Sequence, residues 1–108
     1  MVYCVQAELL FATEARRDLV ADAVETRIAG RARFAVDVVT RLPRTDEGFG
    51  LIVELRFTSR ADQADLDSHV QSFATGARAP LPGSRIWIHD CSSSEATVPC
   101  VITSERTW

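Results

Sequence analysis

Apolar and polar residues alternate most clearly over Gly48-Phe49-Gly50-Leu51-Ile52-Val53-Glu54-Leu55-Arg56-Phe57-Thr58. Leu51, Val53, Leu55 and Phe57 fall on one side, and Ile52, Glu54, Arg56 and Thr58 on the other. Successive side chains of a strand point oppositely, so this stretch predicts a strand with one face in a core. Val2 to Phe11 repeats the pattern, with Tyr3, Val5, Ala7, Leu9 and Phe11 set against Cys4, Gln6, Glu8 and Leu10. Phe34 to Leu42 predicts another strand, with Phe34, Val36 and Val38 toward the core and Ala35, Asp37, Val39 and Arg41 away from it. Arg85 to Cys91 predicts a fourth, its Ile86 and Ile88 inward and Trp87, His89 and Cys91 outward. Thr97 to Thr103 is β-branched enough for a short fifth strand, which Pro99 confines to an edge.

Two segments carry a helical period instead. Thr13 is a suitable N-cap for a helix running to Gly30, with Leu19, Val20, Ala23, Val24 and Ile28 as its buried stripe and Arg16, Arg17, Asp22 and Glu25 outside it. Ser59-Arg60-Ala61-Asp62 is a capping box with Asp in place of Glu, and opens a helix that buries Leu66, Val70, Phe73 and Ala74 and ends at Gly76. Pro43, Asp46 and Gly48 fall in a connection read as too long for a tight hairpin. Ala79 to Ser84 is a stiff loop.

The element order β-α-β-β-α-β predicts an α+β fold, the ferredoxin-like βαββαβ plait: a four-stranded antiparallel sheet ordered 4-1-3-2 with two helices on one face. Residues 1–91 form that domain. Residues 92–108 are a C-terminal extension, a possible edge strand or dimer contact.

Composition narrows the class of function. The chain has 108 residues, enough for one domain with its own core. A net charge of −3 gives no reason to expect a nucleic acid or an acidic membrane as partner. All 12 basic residues are Arg, and Lys and Asn are both absent, as suits a GC-rich bacterial coding sequence. The apolar run near the start is interrupted by Gln6 and Glu8, unlike a signal peptide, and no uncharged stretch approaches the ~20 residues of a membrane helix. The expected location is cytoplasmic. Three cysteines without CxxC spacing argue against a disulfide framework. Cys4 and Cys91 should be neighbours on the outer sheet face, where a disulfide or redox pair is geometrically possible and two small buried thiols are the expected outcome.

The strand parities gather Cys4, Gln6, Glu8, Asp37, Val39, Arg41, Ile52, Glu54, Arg56, Trp87, His89 and Cys91 on the face away from the helices. An aromatic, a histidine, carboxylates and guanidiniums make a set suited to a polar-lined pocket. The expected ligand-binding residues are Trp87, His89, Glu8, Glu54 and Arg56, with Trp87 giving apolar contact. His89 and Glu8 are the candidates for proton transfer. Against these stand plain structural roles: His89 satisfied by Glu8, and Glu8, Glu54 and Arg56 as cross-strand ion pairs. His69 is assigned to packing. His89 with the cysteines lacks any recognised ligand spacing, so neither metal nor cofactor is expected.

Glu47-Gly48-Phe49-Gly50-Leu51-Ile52 is a worn version of an RNA-binding RRM motif. Displaying its aromatics outward would bury Glu54 and Arg56 against the helices at a cost of several kcal/mol each, and the lead position is acidic. RNA binding is therefore not expected.

On element order and parity over residues 1–91, the chain resembles the dimeric α+β barrel group, in which two plaits pack open face to open face. That resemblance implies a homodimer enclosing a small organic ligand, with ligand binding or cofactor-free monooxygenase-like chemistry. The haem-degrading branch of the group uses Asn, Trp and His; here the first strand offers Gln6, and no catalytic residue is carried over. The alternative is an interaction or assembly module without ligand or catalysis, with residues 92–108 as its contact.

Overall fold

In the computed structural model the described residues are 1–31, 33–76, 79–92 and 100–108, and the side chains of 33–36 lie outside the description. The period-2 segments become strands β1 (Val2–Phe11), β2 (Arg33–Thr45), β3 (Gly48–Phe57), β4 (Arg85–Cys91) and β5 (Cys100–Thr107). The two segments of period 3.6 become helices α1 (Glu14–Ile28) and α2 (Arg60–Phe73). The result is an α+β fold with one antiparallel sheet of five strands, ordered β2-β3-β1-β4-β5, one strand more than the four of the predicted core.

The core lies on one sheet face. Val5, Ala7, Leu9 and Phe11 of β1, Leu51, Val53, Leu55 and Phe57 of β3, and Ile86 and Ile88 of β4 pack against Val20, Val24 and Ile28 of α1 and Leu66 and Val70 of α2. Removing each of these Val, Leu, Ile and Phe side chains from water contributes about 1.5–3 kcal/mol, and both helices are held on the sheet by that burial. Their starts are fixed by hydroxyls: Thr13 Oγ1 accepts from Arg16 N at 3.2 Å, and Ser59 Oγ accepts from Asp62 N at 3.4 Å.

Five expectations need correction. In α1 the buried stripe runs Arg17, Val20, Ala21, Val24 and Ile28, whereas Leu19 is 48% exposed. Arg17 is buried because its fork is occupied: Nη1 donates to the Leu42 carbonyl at 2.6 Å, Nε to Asp18 at 2.8 Å, and the guanidinium lies 5.7 Å from the centre of the Phe49 ring.

In β2 the parity is the reverse of the one predicted. Asp37, Val39 and Arg41 stand opposite Leu55, Val53 and Leu51, so they share the helix face, while Val38 and Thr40 take the outer face. Val39 packs on the core, and Arg41 reaches Asp22 at 2.6 Å and Glu25 at 2.7 Å on α1. The predicted inward placing of Phe34 and Val36 lies outside the described residues.

The β2–β3 connection is a tight hairpin with Asp46 and Glu47 at its tip. β2 continues through Pro43 because the register shifts between Arg41 and Arg44, an irregularity of the kind that admits proline on an edge strand. Gly48 closes the hairpin at φ +128°, where an added Cβ would lie 2.6 Å from the Phe11 carbonyl oxygen; only glycine fits there.

Finally, Cys91 and Cys100 face each other across β4 and β5 and are joined by a disulfide. The expectation that Cys4 and Cys91 are two thiols is overturned for Cys91, whose partner is Cys100 and not the Cys4 that geometry had offered. The predicted start of the fifth strand at Thr97 and Pro99 lies outside the described residues, and the observed β5 runs four residues beyond its predicted end, from Thr103 to Thr107.

Candidate functional site on the open sheet face

The face of the sheet away from the helices carries side chains in lateral rows set by the register. One row runs Val38, Glu54, Gln6, Trp87, Glu105 from β2 to β5. The next holds Arg56, Cys4, His89 and Ile102, and the row on the other side holds Thr40, Ile52, Glu8, Arg85 and Thr107. Of the predicted site residues, Glu54 and Trp87 therefore flank Gln6, and Arg56 and His89 flank Cys4.

Gln6 Nε2 donates to Glu54 Oε1 at 3.4 Å. Trp87 is only 9% exposed. The Arg85 guanidinium lies 4.2 Å from its ring centre, and the His89 ring meets it edge-on at 5.9 Å. Arg85 Nε is also 2.7 Å from Glu105 Oε1, a close ion pair whose N–H is not aligned for a hydrogen bond. Arg85 was missed in the sequence, although it stands two residues before Trp87 and so had to share its face.

His89 lies at the centre of the chemistry this face can offer. Burial disfavours its charged form, the Arg85 charge acts the same way, and its pKa falls below the ordinary value. The ring is thus a neutral donor–acceptor at neutral pH. Its Nε2 is buried and has no hydrogen-bond partner among the described residues. Glu8, the partner expected for it, is exposed and stands opposite Arg85, four residues along β1 from the position facing His89. At ~3.3 Å per residue that is about 13 Å, too far for contact. Glu8 instead borders a depression of about 200 Å³ formed with Leu10, Gly50, Ile52, Leu42 and Gly83.

At the end of the same face lie three sulfurs. Cys4 Sγ is 3.8 Å from Cys91 Sγ, which is bonded to Cys100. Burial raises the pKa of the Cys4 thiol; the charge of Arg56 opposes this, while Asp90 and Glu54 reinforce it. Beneath the row, on the helix side, Gln63 of α2 is 3% exposed and donates Nε2 to the carbonyls of Cys4 (3.1 Å) and His89 (3.0 Å) and to Asp90 Oδ1 (3.2 Å). Burial pushes the Asp90 carboxyl up, but hydrogen bonds from Arg60 and Gln63 outweigh this and hold it below the usual carboxylate range. Gln63 was also missed, though it precedes Leu66 by three and Val70 by seven and so lies on their stripe.

A larger, shallow groove of about 770 Å³ runs along the helices, lined by Leu19, Ala23, Arg27, Arg31 and His69. His69 is occupied in packing, with Nε2 3.3 Å from the Ala23 carbonyl and its ring edge-on to Phe73 at 4.6 Å. Among the described residues no helix is long and apolar enough to cross a membrane. Comparison with known protein families, with characterised proteins and with solved structures finds no match.

Proposed function

We propose that the chain is one subunit of a homodimer of ferredoxin-like plaits whose open sheet faces meet and hold a small organic molecule between them. The observation that carries this reading is the buried Nε2 of His89, which lacks a partner among the described residues within a face that also presents Trp87, Glu54 and Arg56. A buried polar atom left so costs about 1–3 kcal/mol, which a ligand or facing subunit would restore. The neighbour order β2-β3-β1-β4 is that of the plait, with β5 as an added edge strand. Neutral His89 is the proton acceptor of any reaction on the ligand, without a metal or cofactor, and Arg56 and Glu54 orient polar groups. Glu8, at the rim, serves ligand entry. In a cytoplasmic setting, the disulfide would belong to the redox-responsive kind.

Native mass spectrometry of protein purified from cells tests the proposal. The expected species is a dimer carrying an extra small mass. Ile52 points away from the helix-side core, so Ile52→Lys is expected to give folded monomers; a wild-type monomer without adduct would refute the reading.

The second reading, an assembly module, is favoured by one feature. β5 is an exposed edge strand with Val101 64% exposed, a site where a partner strand can add. Under that reading Val101→Lys, and not Ile52→Lys, changes the mass in solution.

A further inference from the structure

Three sulfurs from three neighbouring strands meet at one end of the open face. Cys91 closes β4, Cys100 opens β5 directly opposite it, and Cys4 of β1 approaches from the other side. The Cys4 and Cys91 sulfurs are 3.8 Å apart, with Cys4 buried. They belong to diagonal positions of an antiparallel pair, since Cys91 stands opposite Val2 and Cys4 opposite His89. The thiol thus abuts a specific sulfur of an existing disulfide, the arrangement from which thiol–disulfide exchange proceeds. We propose that Cys4, Cys91 and Cys100 form an intramolecular exchange site, in which the bond joining β5 to β4 is traded for one joining β1 to β4.

The step balances within the chain. Cys4 loses its proton and its thiolate attacks Cys91 Sγ. The Cys91–Cys100 bond breaks, its electron pair leaves on Cys100 Sγ, and that sulfur takes up a proton. One thiol and one disulfide are present before and after, so neither an oxidant nor a reductant is consumed. Cys91 is the sulfur attacked because it is the one Cys4 touches, and Cys100 is the leaving group.

The outcome changes what the surface offers. Cys4 is buried, whereas Cys100 lies at the exposed start of the edge strand. Exchange therefore converts a hidden thiol into an accessible one and removes the covalent clamp from the β5 end that carries Val101 and Ile102. The groups facing Cys4 set its rate: Arg56 favours the thiolate, while burial, Asp90 and Glu54 oppose it, and neutral His89 stands opposite across the strands. Attack requires the thiolate, so exchange should be slow at neutral pH and rise about tenfold per pH unit below the thiol pKa.

Disulfide mapping tests this. Oxidised protein is held with N-ethylmaleimide at neutral pH and at about pH 8.5, quenched in acid and digested. Cleavage after Glu8, Arg85 and Glu95 places the three cysteines on separate peptides. The expected product carries maleimide on Cys100 with Cys4 bonded to Cys91, and forms faster at the higher pH. Maleimide on Cys4 with the Cys91–Cys100 bond intact, or no label on Cys100 at either pH, would overturn the proposal. Cys4→Ser and Cys4→Ala should each abolish Cys100 labelling; its persistence in a folded variant would equally overturn it. The wild-type mapping stands even where neither variant folds.

Discussion

Replacing Gln63 tests how α2 is tied to the sheet directly beneath the open face. All three groups its amide meets are obligate acceptors, two carbonyls and a carboxylate, so the amide nitrogen must face them and its two hydrogens are shared among three bonds. Gln63→Leu puts an apolar side chain of similar size on the buried stripe and removes all three bonds. A neutral hydrogen bond contributes about 0.5–1.5 kcal/mol and one to a charged group about 1.5–3 kcal/mol. The new apolar contact offsets part of this loss, and Asp90 retains Arg60 at 2.7 Å. The expected loss is about 2–4 kcal/mol, which at a typical urea slope lowers the unfolding midpoint by about 1–2 M. Urea titration followed by far-ultraviolet circular dichroism measures it.

Gln63→Glu supplies the sharper comparison. Its carboxylate would face two carbonyl oxygens and the Asp90 carboxylate, so its folded-state pKa is raised above the unfolded value. A group of that kind contributes fully below its unfolded pKa, about 4.3 for Glu, and loses the contribution as pH rises through the folded pKa. The deficit of Gln63→Glu relative to wild type should therefore widen from about pH 4 to 7, while that of Gln63→Leu stays nearly flat across the range. A midpoint shift below about 0.3 M for Gln63→Leu, together with no pH trend for Gln63→Glu, would show that these contacts do not hold α2 in place.

Two further outcomes follow from the geometry. Because Val39 faces the core and Val38 stands opposite Glu54 on the open face, Val39→Thr should cost about 1 kcal/mol or more by burying a hydroxyl and Val38→Thr less; a larger loss for Val38→Thr in thermal melts would refute this parity. The ring protons of His89 should titrate in NMR below the ordinary histidine value, since burial and Arg85 both disfavour the cation. A depressed histidine pKa means that the unfolded chain binds the proton first, so stability is lost as pH falls below about 6.5. A midpoint at or above that value would refute the described environment.

How much could be read in advance depends on how unlike the two faces of each element are. β1, β3 and β4 were legible because their helix-facing residues are almost all aliphatic or aromatic while the others include Gln6, Glu54, Arg56 and His89. That contrast placed Trp87, His89, Glu54 and Arg56 on one face. β2 carries apolar residues on both sides, Val38 beside Val39, so alternation alone was a weak guide and assigned its parity the wrong way round. Contact with the acidic side of α1 decided it through Arg41. In α1, Leu19 looked buried by hydropathy alone; Arg17 took an inward place because Leu42, Asp18 and Glu14 satisfy its guanidinium. Contacts that need register were out of reach. The pairing of His89 with Glu8 fails by four residues along a strand, and the Cys91–Cys100 bond depends on β5 lying beside β4, which spacing could not show.

The two tryptophans give the molecule a pair of optical reporters on opposite sides of one sheet. Trp87 looks onto the open face between Arg85 and His89, while Trp108 packs against the helix-side core and is fixed through its backbone to Gly83 and Ser84. Protonated imidazoles quench indole emission, so the Trp87 signal, isolated by Trp108→Phe, carries the charge state of His89. Trp108, isolated by Trp87→Phe, reports the integrity of the core. Each sheet face can thus be followed in real time by its own intrinsic fluorescence, without any attached dye.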